Sequence, residues 1–140
     1  MDISQIEVRF RIQLPERHRQ ALGDPSDPIH QWCDFLVLST PYPLLDFALR
    51  NEELRTEDPS NPWPDFLIAF ASNGCGDYWA YDTRRQPPTI LYIDPDKSVV
   101  ENLAAKEPYG FDTFDSWYAD YARRKAEGFN SELWWKNRNA

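Results

Sequence analysis

A chain of 140 residues, 41% hydrophobic and 15% aromatic with six Trp, has the length and composition of one globular domain, and about two-thirds of its unfolded surface can be buried without a disulfide or metal staple. Its formal net charge of −8 argues against general attraction to nucleic acid or anionic membranes and suits a basic protein partner. No apolar run approaches the roughly 20 residues of a membrane span, residues 1–7 lack the basic and apolar regions of a secretory signal, and Cys33 and Cys75 lack CxxC spacing, so a cytoplasmic protein with reduced thiols is expected.

Residues 5–15 carry two competing patterns. Ile6, Val8, Phe10, Ile12 and Leu14 alternate with polar residues as in a strand, whereas Ile3, Ile6 and Phe10 sit at helical spacing. A short helix leading into an extended segment accommodates both. Pro15 can open a second helix over Glu16–Leu22, which Gly23 and Pro25 stop. Residues 29–38 read as a helix running into a short strand. After the break at Thr40-Pro41-Tyr42-Pro43, Leu45, Phe47 and Leu49 mix with Asp46, Arg50, Glu52 and Glu53, so residues 44–54 read as an amphipathic helix. Pro59, Pro62 and Pro64 make residues 55–64 a loop, since repeated Pro bars both ladder and helix.

The stretch PWPDFLIAFASNGCGDYWAYD over residues 62–82 organises the rest. Phe66, Ile68 and Phe70 point to one face of a strand and Leu67, Ala69 and Ala71 to the other. Both faces are apolar, which predicts a central strand covered on both sides. Asn73, Gly74 and Gly76 are structural turn residues, with positive φ expected at one or both glycines. Aromatic-rich residues 77–82 and 89–94 follow as strands flanking a loop at 84–88, and the three segments should pair consecutively as an antiparallel meander. Residues 94–97 are a turn, and Ser98–Ala105 is a strand or a short helix. A final helix spans about residues 113–127, with Asp112 as its N-cap. Phe114, Trp117, Tyr118 and Tyr121 form a stripe facing the sheet, and Arg123, Arg124 and Lys125 suit the C-terminal dipole. The reading is an α+β single domain over residues 1–128, an antiparallel sheet of about four to six strands with helices mainly on one side, and a tail at 129–140 bearing Trp134 and Trp135.

Little here points to catalysis. Cys75 could serve as a thiol nucleophile only with a histidine base in reach, and His18 and His30 lie in no supporting motif. The spacings of His18, His30, Cys33 and Cys75 match no zinc pattern, and Asp94-x-Asp96 lacks the rest of a calcium loop. No catalytic residue, metal ligand or cofactor is assigned.

NGCGDYWAYD, followed by a Pro-containing loop and ILYID, resembles the SUKH superfamily of cell-wall-assembly regulators and toxin-immunity proteins. Glu7, Phe10, Leu14 and Pro15 fit the end of that superfamily's N-terminal helix, with Arg11 where a Gly is expected. Residues 23–28, Gly-Asp-Pro-Ser-Asp-Pro, replace its usual Asn-Gly-Gly, and Thr113-Phe114 with Trp117 match its closing helix. The likeness is strongest over residues 65–121 and weakest over 23–60. It implies a non-enzymatic immunity protein that binds and neutralises a cognate bacterial toxin, and the acidic charge of the chain points to occlusion as the means. The alternative it implies is an intracellular regulatory or scaffold domain; a small cysteine-dependent enzyme is the third reading.

Charge adds a candidate surface. Residues 24–120 hold 18 Asp and Glu against 6 Arg and Lys, a net of −12 that the two ends oppose with +4. Such a field suits a basic partner, for example a nuclease-type toxin domain, rather than nucleic acid or membrane. Glu52, Glu53, Glu57 and Asp58 around the Pro-rich loop, with Asp77 and Asp82 beside the aromatic strand, are the candidate contacts.

Overall fold

The alternating apolar strands form the centre of the protein. In the computed structural model, which describes residues 1–128, the strands are β1 (Asp34–Phe35), β2 (Leu67–Ser72), β3 (Tyr78–Asp82), β4 (Thr89–Ile93) and β5 (Gly110–Phe111). They make one antiparallel sheet in the order β1-β2-β3-β4-β5. The predicted meander is its middle. Every residue of β2 is buried, as expected of a strand apolar on both faces. The β2–β3 ladder slips between Ala69 and Ala71, which marks a bulge.

The helices are α1 (Ile3–Phe10), α2 (Glu16–Gly23), α3 (Ile29–Trp32), α4 (Phe47–Thr56), α5 (Val99–Ala104) and α6 (Phe114–Ala126). The two patterns of residues 5–15 are used in succession. α1 is capped by a reciprocal pair between Asp2 and Gln5 and leaves Val8 81% exposed, as a helix does and a half-buried strand would not. The chain then turns at Arg11, which takes the left-handed conformation with φ 54°, and extends so that Ile12 and Leu14 are both buried. Arg11 thus fills the helix-ending position that glycine fills most cheaply.

The aromatic stripe of α6 packs on the sheet. The Trp117 ring meets Phe70 edge-on at 4.9 Å, and Phe114, Trp117 and Tyr121 are buried. Tyr118 departs from the expectation. It is only partly buried, its hydroxyl donates to Asp27 at 2.8 Å, and Arg17 lies over its ring at 4.0 Å. It ties α6 to the segment between α2 and α3 rather than to the strands. The N-cap of α6 is Thr113, not Asp112, because the Thr113 hydroxyl accepts from the Ser116 backbone at 3.1 Å. Within residues 98–105 the helical alternative holds, as α5, for a related reason: Ser98 and Glu101 cap each other.

β1 covers only part of the outer edge of β2. Asn51 of α4 covers more of it, accepting from Ala69 N at 2.7 Å and donating to Ala69 O at 2.9 Å, while the Trp63 indole donates to Leu67 O at 2.9 Å. A side-chain amide and an indole stand in for ladder partners, so the edge offers no template to another chain. On the other side of the sheet, Gly110 permits β5 to pair, since a Cβ there would lie 2.1 Å from Ile90 O. The Gln86–Pro87 peptide bond is cis. The tail expected at 129–140 lies outside the described residues.

Candidate functional site

The turn between β2 and β3 shows what the acidic residues do when buried. Asp77 is 1% exposed. Its Oδ1 accepts from Ser72 Oγ at 3.1 Å and Asn73 N at 3.0 Å, and its Oδ2 from Asn73 Nδ2 at 3.0 Å and Tyr92 Oη at 2.8 Å. Gly74 and Gly76 both have positive φ, 89° and 80°, so the backbone N–H groups can wrap the carboxylate. Tyr121 also donates to Asn73 Oδ1, which fixes α6 to the turn. Asn73, Gly74 and Gly76 are therefore turn residues as expected, and Asp77 is the pin of the turn.

Asp82, at the end of β3, is 3% exposed and accepts from Arg84 N at 3.0 Å and Arg84 Nη2 at 2.9 Å. Burial raises its carboxyl, but the Arg84 contacts outweigh this and hold it below the usual carboxylate range. Asp77 and Asp82 thus leave the candidate contact face. Charge normally means exposure, whereas here turn N–H groups and Arg84 supply the partners that make burial tolerable.

The other four acids lie on or beside α4. Glu53 and Glu57 converge on Arg50, whose side chain is only 9% exposed. Arg50 Nη1 donates to Glu53 at 2.7 Å, Nη2 to both Glu57 oxygens at 3.0 Å, and Nε to the Tyr78 hydroxyl at 2.7 Å. Burial lowers the guanidinium pKa, and its bonds to Tyr78 and Glu57 more than restore it, so it stays charged. Glu52 turns away, to an ion pair with Arg9 of α1. Asp58 is exposed and accepts from Ser60 N at 3.1 Å.

Glu57 and Asp58 line a cleft of about 240 Å³ that also includes Arg50, Tyr78, Asp94 and Lys97. The structure therefore brings Glu53, Glu57 and Asp58 onto one ridge, with Glu52 on its flank. Arg50, in sequence one more polar residue of an amphipathic helix, is the centre of the arrangement. The signal was its i, i+3 and i+7 spacing to Glu53 and Glu57.

Neither histidine is offered to Cys75 as a base. His18 is fully buried against Phe35, Phe70 and Phe114, with Nδ1 on the Tyr81 hydroxyl at 2.7 Å, and burial pushes its pKa down to about 3. His30 Nε2 engages the Ala21 carbonyl at 2.9 Å. Cys75 is exposed in the turn, and burial pushes the Cys33 thiol up, away from thiolate chemistry. Among the described residues no group of three His, Cys, Asp or Glu is placed to hold a metal, and no helix is long and apolar enough to cross a membrane.

The arrangement is thus an antiparallel sheet with a pinned β2–β3 turn and an acidic ridge beside Arg50. The model of the SMI1 / KNR4 family (SUKH-1) matches residues 1–120. The chain belongs to that family. No curated protein and no solved structure gives a significant match. The SUKH-1 match runs from α1 into α6 and so takes in the whole sheet. SUKH-1 proteins are generally non-catalytic. In this one the segments that resembled the superfamily have structural work: Asp77 pins the turn, Arg11 ends α1 and Trp117 anchors α6.

Proposed function

We propose that this protein is a non-enzymatic immunity protein, which binds a cognate bacterial toxin in the cytoplasm and neutralises it by occlusion. Family membership supports a binding role, and the observation that carries the toxin reading is the surplus of 12 negative charges over residues 24–120. Toxins that act on nucleic acid need basic substrate channels, and an acidic inhibitor meets such a channel with complementary sign. Glu53, Glu57 and Asp58 are the contacts proposed on the α4 ridge, with Glu52 beside them. The test is co-expression with a candidate toxin taken from the neighbouring reading frame. Growth should be restored, and the two proteins should purify as a complex in which stoichiometric inhibitor, and no turnover, abolishes toxin activity. Growth arrest despite soluble inhibitor would refute the reading.

A second reading is a regulatory or scaffold domain, favoured by the matched family's own description as SMI1 / KNR4. Affinity capture separates the two. Several host proteins and no toxin among the captured partners would favour the scaffold.

A further inference from the structure

The first turns of α2 and α6 meet the 86–88 loop around a cleft of about 440 Å³, which shares no lining residue with the cleft beside Arg50. Its floor is apolar: Leu14 and Phe114, both buried. Pro15, Pro87 and Pro88 form walls that have little side-chain freedom to lose on binding. Glu16, Asp112 and Asp115 stand at the mouth, all exposed. The cation that lines the cleft, Arg19, is engaged by Glu7 at 2.7 Å.

On the α4 ridge Glu52, Glu53 and Glu57 are ion-paired within the protein and Asp58 is not, whereas at the mouth none of Glu16, Asp112 and Asp115 is in an ion pair among the described residues. The helix dipoles account for two of the three, since Glu16 and Asp115 sit in first turns. They do not account for Asp112, which precedes the Thr113 cap.

We infer that this cleft docks an arginine or lysine side chain carried on an extended segment of a foreign protein partner. The methylene stem of such a side chain would lie on Pro15, Pro87 and Pro88, above the buried Leu14 and Phe114, and its charged head would reach the carboxylates at the mouth. An apolar floor alone would take any hydrophobic residue, and a carboxylate cluster alone would take any cation. The two together select a long basic side chain and reject acidic segments and phosphate backbones. The inference adds a site apart from the α4 ridge and rests on the proposed function's premise that the partner is a basic protein.

The test is a titration of the isotope-labelled full chain with the capped peptide Gly-Arg-Leu-Arg-Gly, followed by amide NMR, with Gly-Glu-Leu-Glu-Gly as control. The basic peptide should shift signals of Glu16, Gln86 and the Asp112–Asp115 stretch, and the acidic peptide should not. Binding should weaken as salt rises from about 0.05 to about 0.5 M. In the Glu16→Gln/Asp112→Asn/Asp115→Asn variant, affinity should fall by about fivefold or more with the remaining spectrum unchanged. Shifts centred on α4, equal binding of both peptides, or unchanged affinity in the variant would overturn the proposal. So would a concentration-dependent dimer that the same variant dissociates, because the occupant would then be a second copy. No toxin enters the titration, so its failure removes this docking site and leaves the immunity reading to the co-expression assay.

Discussion

Two buried polar residues set the stability of the central sheet. Asp77 binds the β2–β3 turn through backbone and side-chain donors. In Asp77→Asn one acceptor oxygen becomes an amide facing donors, and loss of charge-assisted bonds should cost about 2–3 kcal/mol. An unchanged urea midpoint would show that the pin is dispensable. His18 adds a pH dependence. Burial holds its pKa at about 3, below the ordinary 6.5, so the unfolded chain takes up the proton first as pH falls. Its contribution is therefore complete above pH 6.5 and is lost towards pH 3, at about 1.4 kcal/mol per pH unit. Asp82, held low by Arg84, has the same sign at lower pH. The melting temperature should fall steadily from pH 7 to pH 4, and His18→Phe/Tyr81→Phe should flatten that slope. Parallel profiles would contradict the assignment. Nothing in the sequence marks His18 as a core residue: its aromatic neighbours come from β1, β2, β3 and α6.

At the scale of elements, what was legible in the sequence was local. The β2–β3–β4 meander could be read because strand period and turn chemistry lie within a few residues of each other. Gly74→Val and Gly76→Val should each cost about 1 kcal/mol or more, since β-branched residues disfavour positive φ. Thermal melts matching the parent in both would contradict the turn account. The stripe on α6 was legible from its spacing, and Trp117→Ala should cost about 3–5 kcal/mol through the cavity it leaves. A fully stable Trp117→Ala protein with only a partner defect would make the stripe an interface. What could not be read depends on distant partners. Tyr118 belongs to the same stripe, but Asp27 and Arg17 draw it away from the sheet. Asn51 completes the β2 edge across 18 residues of sequence.

For the whole molecule, net charge was legible and its geography was not. Glu53 and Glu57 neutralise a nearly buried guanidinium, so they contribute to the fold as well as to the surface field. Reversing Glu52, Glu53, Glu57 and Asp58 to Lys would remove the carboxylate partners of Arg50; Glu53 and Glu57 are 40% and 51% exposed, so solvent screening limits each lost pair to about 1 kcal/mol or less. The reversed protein should therefore unfold at a modestly lower denaturant concentration, where a purely surface field would leave the midpoint in place. Glu16 lies about a hundred residues from Asp112 and Asp115 in sequence, and the three line one cleft only once α2 and α6 pack.

Capture of a basic toxin by an acidic surface is most directly tested by the association rate of the unmodified protein with its cognate toxin, measured across salt concentrations. The screening length shrinks from about 10 Å at 0.1 M to about 3 Å at 1 M. The account predicts an on-rate that falls steeply over that range while the dissociation rate changes little. An on-rate that is the same at both salt concentrations would contradict electrostatic capture, even for a complex that forms and protects.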